Sequence, residues 1–303
     1  MSAPVVVLAG GTGGAKLARG MLDVVGPDDL TVVANTGDDI EIYNAYVSPD
    51  PDLITFWLAD LIDERGWGLE GDTFRVMDGL RELSVEVWFN LGDRDLAIGL
   101  RRAQALAEEA RPTEAQADIA ARLGVRAGVL PMTDRPVRTR VLAHGRWFSL
   151  QEFLIRGRGE GPVDDVDFRG ARAASPTPEV RDAIAGARAI VIGPSNPVIS
   201  IGPILAIAGI RNALAQSEAP IVAVSPLVKG AVVKGPTEPF MAWAGQPLSS
   251  TGIADLYEGL IDGLVADQRT PAVPVLETDV LMDGSEGRAR LADESLRFAL
   301  ALS

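Results

Sequence analysis

Apolar residues in this chain gather in short unbroken runs, set apart by glycine turns and by stretches with helical spacing. Residues 5–8 are continuously apolar and end in the cluster Gly10-Gly11-Thr12-Gly13-Gly14. Leu17, Met21 and Leu22 then share one face of a predicted helix. A second β-rich run over 30–34 stops at Asn35. Strand, glycine turn, helix, strand is the opening of a doubly wound sheet with buried parallel strands. The same order returns late in the chain. Strands are expected over 189–192 and 221–225, helices over 204–214 and 253–265, a last strand over 273–276 and a closing helix over 288–300. Between these halves, 52–123 reads mostly as helix and 128–148 as short strands, followed by loops rich in glycine and charge as far as Gly170. The expected fold is α/β: a Rossmann-like, doubly wound, mainly parallel sheet. Residues 1–50 and 181–303 would build it, and 51–180 would form an inserted subdomain over its carboxyl edge.

Composition narrows the chemistry. The 303 residues carry a net charge of −14, which argues against nucleic acid as a partner, because phosphate backbones call for clustered Lys and Arg. There is no cysteine, so thiol nucleophiles and zinc–thiolate sites are excluded. The one histidine, His144, precedes Gly145 between two β-like runs and reads as an exposed turn residue. The opening Met1-Ser2-Ala3-Pro4 has no basic start, and no run nears the roughly 20 apolar residues that span a bilayer. The cytoplasm is therefore the expected location, with no membrane partner. Carboxylates, hydroxyls, lysines and glycine loops remain, which suits phosphoryl or phosphodiester transfer assisted by a hard metal.

In open α/β sheets ligands bind beyond the carboxyl ends of the strands, so loops that follow strands are the informative ones. Gly10 to Lys16 is neither a Walker A loop nor a dinucleotide fingerprint: Leu17 follows the lysine, and Lys16 stands where a third glycine would. It is either a phosphate-binding helix start or a tight turn. Asn35-Thr36-Gly37-Asp38-Asp39 offers two acids that could hold metal or face solvent. Ser48-Pro49-Asp50-Pro51-Asp52 adds two more carboxylates, or a helix start. Asn90-Leu91-Gly92-Asp93-Arg94-Asp95 is a polar loop in which Asp93 or Asp95 could cap a helix, with Trp88 two residues ahead. Gly193-Pro194-Ser195-Asn196-Pro197 suits a rigid recognition loop or simple strand termination. The same holds for Ser225-Pro226 with Lys229-Gly230 and Lys234-Gly235-Pro236.

Taken in order, these six loops resemble the 2-phospho-L-lactate transferase family of coenzyme F420 biosynthesis, nearly end to end. The resemblance implies a Rossmann-like core, usually in a homodimer, and a need for Mg²⁺. It implies transfer of a phosphorylated hydroxy acid from a guanylyl diphosphate, such as lactyl-2-diphospho-5′-guanosine, to the ribityl hydroxyl of the deazaflavin Fo, with release of GMP. The acid could be lactate, enolpyruvate or glycerate. Asp38 and Asp50 match acidic positions tied to metal and catalysis. Gly10, Gly11, Thr12, Gly13, Gly14, Lys16, Ser195, Asn196, Pro197 and Ser225 are the nucleotide and phosphate candidates. Asp50, Asn90, Asp93 and Arg94 are the Fo candidates. Two departures stand out: Pro51 and Leu53 replace the family's usual leucine and threonine, and Asn90 stands where lysine is common. Related proteins with a similar glycine loop bind UDP-sugars and act as regulators, which is the alternative expectation.

Overall fold

The computed structural model describes residues 3–302, so Met1 and Ser2 of the opening segment lie outside the described residues. Seven strands form one sheet: β1 (Val5–Ala9), β2 (Leu30–Ala34), β3 (Gly128–Pro131), β4 (Ala189–Ile192), β5 (Ile221–Val224), β6 (Gly263–Ala266) and β7 (Val275–Glu277). Their spatial order is β7-β6-β5-β4-β1-β2-β3, and every pair is parallel. Read from β3, this is the 3-2-1-4-5-6 order of a doubly wound fold with one strand added. The order reverses between β1 and β4, so their carboxyl ends open a crevice there.

Alternation along the strands explains the two layers. Val6, Leu8, Ile190, Ile192 and Ala223 enter the core on one face, and Val5, Val7, Ala9, Val191 and Val224 enter the core on the other. Successive strand side chains point to opposite faces, so a strand buried on both sides must be apolar throughout. Helix α1 (Gly11–Val25) supplies Leu17, Ala18 and Met21 to the second core, where the closing helix Gly284–Ala301 adds Leu291 and Leu296. Truncating one such fully buried leucine costs about 2–5 kcal/mol.

Several elements differ from expectation. The stretch expected as one helix over 253–265 is the helix Ser250–Leu256 followed by the strand β6. Gly259, at φ 69°, turns the chain between them. Four buried residues in a row carry no period that separates strand from helix. The helix expected over 204–214 is broken, with Pro197–Leu205 and Ala208–Gln216 set at 82°. The last strand is shifted to Val275–Glu277. Within 51–180, β3 pairs with β2 and is the edge strand of the central sheet, so that segment is divided rather than wholly outside it. Among the described residues no single helix is long and apolar enough to cross a membrane.

Candidate active site

The glycine loop turns β1 into α1 at the crevice, and packing explains most of its glycines. A methyl at Gly13 would overlap the Pro194 carbonyl oxygen, and one at Gly14 would fall 2.6 Å from Ser195 Oγ. Ser195 Oγ in turn donates to the Gly10 carbonyl at 2.5 Å. Glycine here lets the loop after β4 lie directly on the start of α1. Gly11 has φ 61°, and its N–H donates to Asp50 Oδ1 at 2.6 Å.

Thr12 and Gly13 line a cleft of about 360 Å³, with Lys16, Asn196, Ser225 and Lys234 around it. Asn196 Oδ1 accepts from Val198 N at 2.9 Å and Ile199 N at 3.1 Å, while its Nδ2 is buried without a partner. Pro197 is buried and opens the single π-turn Pro197–Ile201. Ser225 Oγ accepts from Leu227 N at 3.2 Å. The Lys16 ammonium lies 5.7 Å from the Trp57 ring centre. Burial, then the charges of Arg288 and Lys234, hold Lys16 below the ordinary lysine value.

The acidic loops meet on the other side of Gly11. Helix α2 (Pro49–Leu58) starts on a proline, which places Asp50 and Asp52 in its first turn. Asp50 Oδ2 accepts from Asn35 Nδ2 at 2.9 Å, and Asn35 Oδ1 accepts from Gly37 N at 2.7 Å. Asp38 Oδ2 accepts from Gln151 Nε2 at 3.1 Å, but its Oδ1 is buried with no partner. Burial, then the charges of Asp50 and Asp39, push Asp38 well above the carboxylate range. Burial raises Asp50 to about 6 against the Asn35 and Gly11 hydrogen bonds.

The neighbouring acids are already committed. Asp39 accepts from Ser48 Oγ at 2.6 Å and from the Tyr46 hydroxyl at 2.9 Å. Asp52 forms a buried ion pair with Arg102, which also donates to Gln116 Oε1 at 3.0 Å. Both carboxylates hold the fold around the site, whereas neither Asp38 nor Asp50 has an ion-pair partner among the described residues.

A second cleft, of about 450 Å³, runs from Asp38 and Asp50 past Phe56, Trp67, Phe74 and Phe89. Asn90 lies on its wall and accepts from Arg81 Nη2 at 2.6 Å. The expected neighbours of Asn90 are placed elsewhere. Asp93 accepts from Thr73 Oγ1 at 2.5 Å and from the backbone of Arg75 and Val76, capping the helix Arg75–Glu82. Arg94 donates to the Glu70 carbonyl at 3.0 Å. Neither lines the cleft; Asp95 and Asp72 do. Trp88 stacks on Phe89 at 5.7 Å, and Phe89 faces the cleft in its stead. His144, at φ 51°, turns a hairpin on the surface as expected.

Two clefts thus meet at the glycine loop beside a buried acidic pair. Residues 5–291 match the family described as 2-phospho-L-lactate transferase CofD. The chain belongs to that family. It is 36% identical to a 2-phospho-L-lactate transferase of Methanosarcina mazei, over 95% of this chain and 98% of the relative. It is 37% identical to a phosphoenolpyruvate transferase of Kitasatospora aureofaciens, over 95% and 97% respectively. In three dimensions it is similar to a Bacillus halodurans protein at a TM-score of 0.63 and 18% identity, covering 98% of this chain and all of that one. That likeness concerns the fold, and it agrees with the doubly wound sheet of this family member.

Proposed function

We propose that this CofD-family protein moves a phosphorylated hydroxy-acid unit from a guanylyl diphosphate to the ribityl hydroxyl of the deazaflavin Fo, releasing GMP. The observation that carries this reading is the junction of the clefts. A cleft with two lysines borders an aromatic, acidic one at Gly11 and Thr12, and Asp38 and Asp50 stand beside that border. The donor diphosphate would lie at the start of α1, where N–H groups and the helix dipole favour anions. Asn196 Nδ2, buried and unpaired, would donate to an acceptor on the guanine edge. Phe56, Phe74 and Phe89 would take the flat deazaflavin.

Mg²⁺ fits this site. Among the described residues no three acidic or imidazole side chains form a metal centre by themselves, so the donor's phosphate oxygens would complete the ligand set. Asp38 is the natural protein ligand: its Oδ1 has no partner, and it is crowded by like charge. Asp50 would bind directly or through water. When bound, the metal would neutralise charge on the transferring phosphoryl group. The chain's own part is positional. Gly11 N and Asn35 hold the Asp50 carboxylate still, so that it can orient the Fo hydroxyl for in-line attack.

The test offers the protein Fo, Mg²⁺ and three guanylyl donors carrying lactate, enolpyruvate or glycerate, with products read by mass spectrometry. A phosphodiester and GMP from at least one donor is the expected result, lost in EDTA and restored by Mg²⁺. No product from any donor, with UDP-N-acetylglucosamine rather than GDP raising the melting temperature, would overturn the reading in favour of a UDP-sugar regulator.

A further inference from the structure

Lys234 has no part in the reaction as drawn so far, yet it stands where the two clefts join. The chain leaves a short hairpin, Leu227–Val228 paired with Ala231–Val232, and turns sharply just past this lysine. Gly235 makes that turn at φ 83°, a conformation that side-chain-bearing residues rarely adopt. Among the described residues Lys234 is the one charged side chain that lines both clefts. Lys16 lines only the first. The Lys234 ammonium rests 5.4 Å from the ring centre of Trp67, and it forms no ion pair among the described residues. An aromatic face holds a cation without cancelling its charge. The charge of Lys234 also bears on Lys16, as does that of Arg288, so three cations converge there, while Asp283 is the one acid whose charge bears on Lys16 in return.

We propose that Lys234 is a catalytic residue of the transfer, contacting the bridging oxygen of the donor diphosphate and neutralising the charge that gathers on departing GMP. The proposal rests on the reaction stated above. In that step the acceptor hydroxyl oxygen forms a bond to the β-phosphorus, and its proton passes to water. The bond from that phosphorus to the bridging oxygen breaks, and its electron pair leaves on GMP. Lys234 remains an ammonium throughout and donates an N–H to the oxygen on which charge develops, so its effect is larger in the transition state than in the bound donor. Lys16 lines the first cleft alone, beside the start of α1, and would serve donor binding.

The experiment measures kcat with both substrates saturating, and GDP affinity by calorimetry, for the parent, Lys234→Ala and Lys234→Arg in Mg²⁺ buffer. Lys234 is exposed, so folding should survive either change. Lys234→Ala should lower kcat by about 100-fold or more, the usual effect of removing one such donor, while GDP affinity falls far less. Lys234→Arg should recover about tenfold of the loss, since guanidinium keeps the charge with different geometry. A Lys234→Ala enzyme as fast as an active parent overturns the lysine's role and leaves the reaction standing. Equal losses in kcat and GDP affinity overturn it too, by making Lys234 a donor-binding residue only. A parent that turns over none of the three donors overturns the reaction and the lysine's part together.

Discussion

Asp38 and Asp50 are costly residues to keep, because each is buried near like charge and neither has a direct ion-pair partner among the described residues. Under the proposed reaction, Asp38→Asn and Asp50→Asn should each lower kcat by about 100-fold or more. The metal-free Asp38→Asn variant should melt no lower than the parent, because an amide that still accepts from Gln151 replaces a carboxylate that burial disfavours. An Asp50→Asn enzyme with parental kcat would remove that carboxylate from the chemistry. Asp95 gives a pH test. Burial, then the charges of Asp52 and Asp72, raise it to about 7. A carboxyl whose folded pKa exceeds its unfolded value stabilises the fold at low pH, and that contribution is lost as the pH rises through about 7. Asp95→Asn should therefore gain melting temperature over the parent more at about pH 8 than at about pH 5.5, at about 2–4 °C per kcal/mol for a domain of this kind. Equal differences at both pH values would place the titration elsewhere. The loops 35–39 and 48–52 each carry two acids, and only the family resemblance separates Asp38 and Asp50 from Asp39 and Asp52. Asp93 and Asp95 could not be told apart: successive helix residues point about 100° apart, and tertiary packing decides which one meets the cleft.

At the scale of elements, the loop after β4 does two jobs through one side chain. Asn196 caps the turn Pro197–Ile201 with its oxygen and leaves its Nδ2 free. Changing it to alanine would remove both, so Asn196→Asp is the informative variant: it keeps an acceptor for Val198 and Ile199 and loses the donor. GDP affinity should fall by at least the about 0.5–1.5 kcal/mol of one hydrogen bond, with little change in melting temperature. Unchanged affinity would exclude Asn196 from the base site. Gly13→Val would not test phosphate contact alone, since any side chain there meets the backbone of Pro194 and separates the two loops. Strands β1, β2, β4 and β5 were legible because both faces are buried and each run ends in turn residues. The edge strand β3 was read as a strand but not as part of the central sheet, because pairing between segments about a hundred residues apart leaves no local pattern. β6 was absorbed into the helix before it because its four residues carry no period.

Across the whole molecule, the reversal of strand order between β1 and β4 opens the crevice; the segments after β1, β4, β5 and β7 line one cleft, and those inserted after β2 and β3 line most of the other, with a shared border. That border bears on how the substrates meet. A ping-pong route would need a nucleophile there to hold the phosphorylated acid after GMP had gone. The chain has no cysteine, and His144 lies on a surface hairpin away from both clefts. Asp50 has one oxygen on Gly11 N and the other on Asn35, which hold the carboxylate in place to orient the acceptor hydroxyl rather than leave it free to swing onto phosphorus. Asp38 has one free oxygen, but under the proposed reaction that oxygen, set among like charges, would serve a cation rather than attack phosphorus. Under the proposed reaction, with both clefts open to Gly11 and Thr12, the two substrates would be held at once and transfer would be direct. Initial rates measured against Fo at several fixed donor concentrations should therefore give intersecting double-reciprocal lines. GDP should also bind the Fo-loaded protein with an affinity close to that for the free protein. Parallel lines, or a phosphorylated acid found covalently attached to the chain, would show that the junction supplies a nucleophile after all.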